Sequence, residues 1–304
     1  MIFARITIVF VVLVIAALIL IFPLPPKETQ PTVKGQSAST NNTKPSPYPI
    51  PKRIENSPNP PAITAKSSIV VDVKSGVTIF EKDPNTHLLP ASTTKLLTAL
   101  VALEKCPPDE SVTIGLVDSQ PSSMGLSTGD TVTIQTLLSG LLIASGNDAA
   151  LALSYSCAVS TDEFVHEMNL KAQELGMFDS HFTNPAGFDH DYQYSTAHDL
   201  AQLARIAVAN PLIAKIVATK SIVLTDIANT KTYYLENVNK LLGQVEGIQG
   251  IKTGQTTGSL EVLITQTTRN GHIIITVVLG SKDRFADSVN LIEWAFANYH
   301  WVNP

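Results

Sequence analysis

Three short polar motifs, spread over more than half of the sequence, constrain the fold of this chain more than any other feature. They are Ser92-Thr93-Thr94-Lys95, Ser145-Gly146-Asn147 and Lys252-Thr253-Gly254. Ser92 opens the only Ser-x-x-Lys, and Lys252 opens the only Lys-Thr-Gly. Ser-x-Asn is the weakest of the three patterns, because it occurs elsewhere in the chain. Together the motifs predict one cleft with a reactive serine, a second polar wall and a cationic strand edge.

The first motif has the spacing of an activated nucleophile. A serine hydroxyl reacts poorly until a neighbouring base removes its proton. If Ser92 begins a helix, Lys95 lies one turn later on the same face and its amine reaches the serine oxygen. The lysine must be neutral for this role, and burial together with a second cation such as Lys252 lowers a lysine pKa. The alternative is that Ser92 only caps a core helix.

The other two motifs supply polar groups around that serine. Ser145 and Asn147 lie in a turn between an apolar helix predicted for residues 133–144 and another from residue 149 to about 159. Lys252 and Thr253 precede a predicted strand pair over residues 259–280, which Asn270-Gly271 marks as a hairpin. A lysine beside a threonine hydroxyl is a suitable receptor for a terminal carboxylate.

The order of the predicted elements indicates an α+β domain. Residues 68–73 and 77–82 read as two antiparallel strands, and residues 92–219 as mostly helical. Strands return at 221–225, 232–235 and 259–280, and a last amphipathic helix is predicted for 283–299. This pattern by itself specifies no fold beyond the α+β class.

The N-terminal part of the chain predicts a membrane anchor and a tether. Residues 1–22 contain an unbroken apolar run from Ile6 to Phe22, which favours an uncleaved transmembrane signal anchor over a cleaved signal peptide. Residues 23–61 are rich in Pro, Ser, Thr and Asn and predict a disordered linker. Residues 62–304 then form the catalytic domain. The formal net charge of −5 suggests solubility and identifies no partner.

The domain resembles the serine D-Ala-D-Ala carboxypeptidases, the low-molecular-weight penicillin-binding proteins, from about Ser67 to Tyr299. The motif set itself is typical of penicillin-binding proteins and class A β-lactamases. Further phrases that carry the likeness are Pro90-Ala91-Ser92, Asn147-Asp148-Ala149-Ala150, Leu175-Gly176-Met177, Phe182-Thr183-Asn184-Pro185, Asn239-Lys240-Leu241-Leu242 and Gly250-Ile251-Lys252. The resemblance implies a β-lactamase/transpeptidase-like fold, with an antiparallel sheet flanked by helices and a separate helical lobe.

The resemblance also implies a role for each motif residue. Ser92 is expected to be the acylated nucleophile, Lys95 its base, Ser145 a proton relay to the leaving amine, and Asn147 the residue that orients the substrate amide and Lys95. The substrate-binding set is Lys252, Thr253, Gly254 and Gln255, with Lys252 and Thr253 on the terminal carboxylate. The backbone N–H groups of Ser92 and Gln255 are expected to form the oxyanion hole. The implied partners are peptidoglycan stem peptides, with β-lactams as covalent inhibitors and no cofactor or metal.

Several alternatives stay open at this point. A D,D-endopeptidase that cleaves crosslinks carries the same motifs. A β-lactamase needs a deacylating glutamate, and no Glu-x-x-x-Asn follows the second motif, where Glu167 and Asn169 stand only two apart. A binding protein without activity is disfavoured by the intact motifs. The expected location is the cell membrane, single-pass with the domain on the extracytoplasmic side, or secretion if the signal is cleaved.

Other patterns carry no second function. Residues 125–129 match Gly-x-Ser-x-Gly but lack the flanking strand and helix, so we expect a surface turn. Asp189, His190, Asp191 and His198 lack the spacing of metal ligands. No basic patch with interleaved aromatic residues predicts nucleic-acid binding. Cys106 and Cys157 are consistent with either a disulfide or two buried thiols.

Overall fold

A five-stranded antiparallel sheet organises the described part of the chain. The computed structural model describes residues 48–115 and 121–304. The strands of the sheet are β2 (Ser67–Asp72), β3 (Thr78–Lys82), β8 (Ile248–Thr256), β9 (Leu260–Arg269) and β10 (His272–Ser281). Their order along the sheet is β3-β2-β10-β9-β8. The strands predicted at 68–73, 77–82 and 259–280 are confirmed, with shifts of one or two residues at their ends.

Both faces of the sheet are buried. In β10, Ile275 and Val277 belong to one hydrophobic core, while Ile274 and Val278 belong to a second core. Successive side chains of a strand point to opposite faces, so a strand covered on both sides reads as a continuous apolar run. This is why residues 273–279 are apolar without alternation.

Helices cover the two faces and form a lobe beside the sheet. They are α1 (Lys95–Lys105), α2 (Ile134–Leu142), α3 (Asn147–Ser156), α4 (Thr161–Glu174), α5 (Ala197–Ala207), α6 (Pro211–Val217) and α7 (Arg284–Asn298). The core that contains Ile274 is closed by Leu291 and Ile292 of α7. The larger core extends from the opposite face into α1 to α6.

Helix starts differ between the motif-bearing helices and the others. The five helices α2, α4, α5, α6 and α7 each begin with a side chain that accepts a hydrogen bond from a first-turn backbone amide. In contrast, α1 and α3 begin at Lys95 and Asn147 with no side-chain cap. A cap satisfies free amides at a helix start and is typically worth about 1 kcal/mol. The two motif-bearing starts are organised instead by contacts of the site.

Three two-stranded ribbons complete the strands of the described chain. They pair β4 (Ser111–Thr113) with β5 (Thr131–Thr133), β6 (Ser221–Thr225) with β7 (Thr232–Glu236), and β1 (Ile50–Arg53) with β11 (Tyr299–Val302). The ribbon of β1 and β11 corrects the predicted linker of residues 23–61 and the domain start at residue 62. Residues 50–53 pair with the C-terminal strand, and the Trp294 indole donates to the Pro58 carbonyl at 3.0 Å.

Cys106 and Cys157 form a disulfide, with Cα atoms 5.7 Å apart. Cys106 directly follows α1, and Cys157 directly follows α3. The bond therefore joins the C-terminal ends of the two helices whose first residues are Lys95 and Asn147. The sequence left a disulfide and two buried thiols as alternatives, and the structure contains the disulfide.

The helix start predicted at Ser92 differs from the structure, and the predicted membrane anchor lies outside the described residues. Ser92 does not begin an α-helix: it lies in a 3₁₀ turn over Ala91–Thr94, and α1 starts at Lys95. The anchor predicted for residues 1–22 and most of the linker lie outside the described residues. Within residues 48–115 and 121–304, no single helix has the length and hydropathy to cross a membrane.

Candidate active site

The backbone at Ser92 is held tightly by its neighbours. Ala91 has φ +48°, a conformation that costs a non-glycine residue free energy and is kept only where surrounding structure imposes it. A Cβ at Gly187 would lie 2.0 Å from the Ala91 oxygen, and one at Gly254 would lie 3.0 Å from the Ser92 nitrogen. Two glycines thus let a loop and strand β8 approach the turn that carries the nucleophile.

Lys95 lies directly beside the nucleophile. Its side chain is fully buried, and Nζ is 2.8 Å from Ser92 Oγ, 2.7 Å from Asn147 Oδ1 and 2.8 Å from the Ala186 carbonyl oxygen. Burial, and then the positive charge of Lys252, lower the pKa of Lys95 well below its ordinary value, against the opposing effect of Asp148. A lysine in this state can be neutral at physiological pH and can accept the Ser92 proton.

Lys252 extends the cationic group from strand β8. Its Nζ is buried and donates to Ser145 Oγ at 2.8 Å and to the Thr253 carbonyl at 2.9 Å. Burial, and then Arg284, lower the pKa of Lys252 to about 7. Ser145, with φ +58°, is therefore bound to one lysine while Asn147, two residues later, is bound to the other.

Strand β8 presents the whole predicted substrate-binding set along one edge of the sheet. Lys252, Thr253, Gly254 and Gln255 are consecutive residues of the strand, which pairs with β9 on one side only. One face of β8 packs on the Ser92 turn at Gly254, where an added Cβ would touch that turn. The structure thus brings together the eight residues predicted for catalysis and substrate binding.

Arg284 is a site residue that the sequence analysis missed. Its Nη1 donates to the Gly254 carbonyl and to Gln255 Oε1, both at 3.2 Å. Arg284 is the first residue of α7, where the helix dipole disfavours a cation. A cation at this position does not stabilise the helix, which indicates another role. This was the signal in the sequence by which Arg284 could have been found.

The Ala186 carbonyl is a second group that the sequence analysis did not identify. Asn184 Oδ1 accepts hydrogen bonds from the backbone nitrogens of Gly187 and Phe188, which shapes the loop so that the Ala186 oxygen faces Lys95. A backbone carbonyl has no sequence signature of its own. Asn184, directly before Pro185, was the only indication.

Comparisons with known proteins show to which family the chain belongs. The model of the D-alanyl-D-alanine carboxypeptidase family matches residues 54–283. The chain belongs to this family. It is 33% identical over 246 residues to DacF of Bacillus subtilis, covering 77% of this chain and 63% of that protein. It is also 33% identical over 250 residues to DacB2 of Mycobacterium tuberculosis, covering 79% of this chain and 84% of that protein.

Solved structures of the family share the fold. The DD-transpeptidase of Streptomyces K15 aligns with a TM-score of 0.75 and 30% identity, over 79% of this chain and all (100%) of that one. A penicillin-binding protein homologue from Mycobacterium tuberculosis aligns with a TM-score of 0.75 and 31% identity, over 81% of this chain and 96% of that one. The predicted family and the predicted fold, an antiparallel sheet with flanking helices and a helical lobe, are confirmed.

Proposed function

We propose that this chain is a serine D,D-carboxypeptidase that removes the terminal D-Ala from peptidoglycan stem peptides through an acyl-enzyme. The observation that carries the proposal is the buried Lys95 amine 2.8 Å from Ser92 Oγ, in surroundings that lower its pKa. A neutral amine at this distance is a general base in hydrogen-bond reach of the proton it removes. Membership of the carboxypeptidase family supports the same reaction.

The residues around Ser92 supply a proposed group for each proton transfer of acylation. Lys95 takes the Ser92 proton while the serine oxygen attacks the carbonyl carbon of the D-Ala-D-Ala bond. Negative charge develops on the carbonyl oxygen, where the N–H groups of Ser92 and Gln255 are proposed to stabilise it. The carbon–nitrogen bond breaks as the leaving amine gains a proton through Ser145, and water then hydrolyses the ester to release the shortened peptide.

The cations of β8 and α7 favour a substrate with a free C-terminal carboxylate. Lys252 and Arg284 are close to the strand edge that bears Thr253, and both side chains donate hydrogen bonds there. A carboxylate between a lysine, an arginine and a hydroxyl gains charge-assisted hydrogen bonds. The terminal D-Ala of a stem peptide presents such a carboxylate directly beside the bond to be cleaved.

The location is part of the proposal. The apolar run of residues 6–22 supports a single membrane anchor with the catalytic domain on the extracytoplasmic side, where peptidoglycan lies. The full chain should therefore fractionate with membranes and be digested by a protease added outside the cell. Recovery from the culture medium of a chain that lacks the N-terminal apolar run would instead indicate a cleaved signal.

The first experiment is intact-mass analysis of the full chain with benzylpenicillin, beside its Ser92→Ala variant. We expect a long-lived adduct of one penicillin on the parent and none on the variant. The parent should also convert a pentapeptide stem to the tetrapeptide with release of D-Ala. An adduct that persists in Ser92→Ala would contradict the assignment of the nucleophile.

The same experiment separates the competing activities. Hydrolysed penicillin without a lasting adduct would indicate a β-lactamase, and cleavage of a crosslinked dimer faster than the pentapeptide would indicate an endopeptidase. Since the solved neighbour from Streptomyces is named a DD-transpeptidase, an added D-amino acid acceptor shows whether the acyl group passes to an amine instead of water. An untouched drug would indicate a domain without acylating activity.

A further inference from the structure

Asp148 accepts five hydrogen bonds and has no role in the proposed reaction. Its carboxylate is buried, with 3% of the residue exposed. Oδ1 accepts from the backbone nitrogens of Met124 and Ala149, both at 2.9 Å. Oδ2 accepts from the backbone nitrogens of Gly125 (3.1 Å) and Leu126 (3.0 Å), and from the Ser123 hydroxyl. Four of the five donors lie in one short stretch of the chain.

That stretch, residues 121–126, is here called the 121–126 segment. It has no regular secondary structure, and several of its side chains are exposed. Asp148 thus supplies acceptors for backbone amides that no helix or strand satisfies. A buried backbone amide without a hydrogen-bond partner costs free energy. The segment therefore keeps the conformation in which its amides bind the Asp148 carboxylate.

The 121–126 segment in turn contacts Asn147. The Asn147 backbone nitrogen donates to the Ser122 carbonyl at 2.7 Å, and its side-chain Nδ2 donates to the Pro121 carbonyl. A carbonyl oxygen only accepts, so the amide nitrogen of Asn147 must face Pro121. The amide oxygen then faces the other way, towards Lys95 Nζ at 2.7 Å.

We propose that Asp148 is a positioning residue for acylation, which holds the 121–126 segment against α3 and through it orients the Asn147 amide towards Lys95. The inference rests on the proposed function, because acylation of Ser92 is its readout. Without the carboxylate the Pro121 carbonyl is free to move, and the Asn147 amide can rotate. Its nitrogen, which cannot accept a hydrogen bond, then faces Lys95 Nζ in place of its oxygen. Asp148 itself touches neither Ser92 nor the substrate-binding edge of β8.

The charge of Asp148 gives the proposal a second readout. The charged groups that act on Lys95 are Lys252 from β8, which lowers the Lys95 pKa, and Asp148 from α3, which raises it. Replacing Asp148 by asparagine removes the group that raises it, so the Lys95 pKa falls further. Because the base must be neutral, the pH at which the acylation rate falls off on the acid side of its pH profile should become lower.

The principal test is the second-order rate of penicillin acylation for Asp148→Asn in the full chain. We expect the rate at the pH optimum to fall on the order of tenfold or more, with the acid limb displaced to lower pH. The matched control is Asp72→Asn, which changes another buried carboxylate whose partners, Ser75 and Trp301, belong neither to the site nor to the 121–126 segment. Its rate and pH profile should equal those of the parent.

A double-mutant cycle with Asn147→Ala shows whether Asp148 acts through Asn147. If it does, Asp148→Asn slows acylation in the parent but causes little further slowing in Asn147→Ala. Equal slowing in both backgrounds would overturn the proposal. An unaltered rate in Asp148→Asn would also overturn it, whereas a parent chain that forms no adduct would instead refute the proposed function.

A milder pair of variants covers the case in which Asp148→Asn does not fold. Ser123 and Ser122 are adjacent exposed serines, and only the Ser123 hydroxyl binds Asp148. Ser123→Ala removes the bond of this hydroxyl to Asp148 and the bond it accepts from the Gly125 nitrogen, and it should slow acylation roughly threefold. Ser122→Ala keeps the backbone carbonyl that binds Asn147 and should not slow it. Equal rates for the two variants would contradict the proposal.

Discussion

At the scale of single residues, the site depends on lysines that burial has made weak bases. Lys95 and Lys252 are both almost fully buried, and each is surrounded by hydrogen-bond acceptors: Ser92 and Asn147 for one, Ser145 for the other. Desolvation is the largest cause of the lowered pKa in both. In the proposed reaction, these two identical side chains take different roles, Lys95 as a neutral base and Lys252 as a cation.

The pKa of about 7 for Lys252 predicts a pH limit on substrate binding. Below that pH the amine is cationic and attracts the substrate carboxylate, and above it the amine loses its proton and the attraction. The KM for a pentapeptide stem should rise as pH increases from about 6 to about 9, with kcat less affected. Lys252→Arg, which stays charged throughout, should show no such rise. A KM that is constant over this range in the parent would contradict the prediction.

At the scale of elements, the disulfide and the site lie at opposite ends of one helix pair. Helices α1 and α3 begin at Lys95 and Asn147, which are hydrogen-bonded, and end at Cys106 and Cys157, which are covalently joined. The pair is thus held at both ends. In the chain-entropy model, closing a loop of this length stabilises the folded state by about 4 kcal/mol.

Removing the bond should lower stability more than activity. We expect the Cys106→Ala, Cys157→Ala double variant to lose about 4 kcal/mol of unfolding free energy in urea. At a temperature where the variant is still folded, its penicillin acylation should stay within roughly threefold of the parent, because the contacts at Lys95 remain. A variant as stable as the parent would show that the bond is absent in solution.

At the scale of the whole molecule, the catalytic domain begins earlier than its composition indicates. Residues 50–53 pair with 299–302, and the Arg53 guanidinium lies 5.8 Å from the centre of the Trp294 ring. A fragment that starts at residue 62 loses this pairing and the Pro58 contact with Trp294. It therefore exposes part of α7 that the full chain covers.

A comparison of two truncations measures what this segment contributes. The fragment 62–304 should be less stable than 48–304 by at least roughly 2 kcal/mol, because it lacks the β1–β11 ladder and the Pro58–Trp294 bond and each hydrogen bond contributes about 1 kcal/mol net. For a domain of this size that corresponds to a Tm lower by about 4–8 °C. Acylation rates of the two fragments at low temperature should agree. Equal Tm values would show that the ribbon adds no stability.

The sequence predicted the site better than it predicted the edges of the fold. The motif residues converge because chemistry requires Ser92, Lys95 and Lys252 to meet, and β10 was recognised from its apolar run. Ile50-Pro51-Lys52-Arg53 was assigned to the linker because its partner strand lies about 250 residues away, and local composition carries no information on such pairing. Arg284 was missed for a similar reason, since its partners belong to β8.

The ribbon of β1 and β11 also determines how the domain carries mechanical load. Ile50 pairs with Val302 and Arg53 with Tyr299, so the chain enters and leaves the domain at the same end of one antiparallel ribbon. A force that pulls residues 50 and 302 apart separates the paired residues one at a time, as in unzipping. While the ribbon separates, the five-stranded sheet and the helix pair of α1 and α3 stay outside the line of force, so a pull between these two residues acts on the ribbon before it acts on the cleft around Ser92.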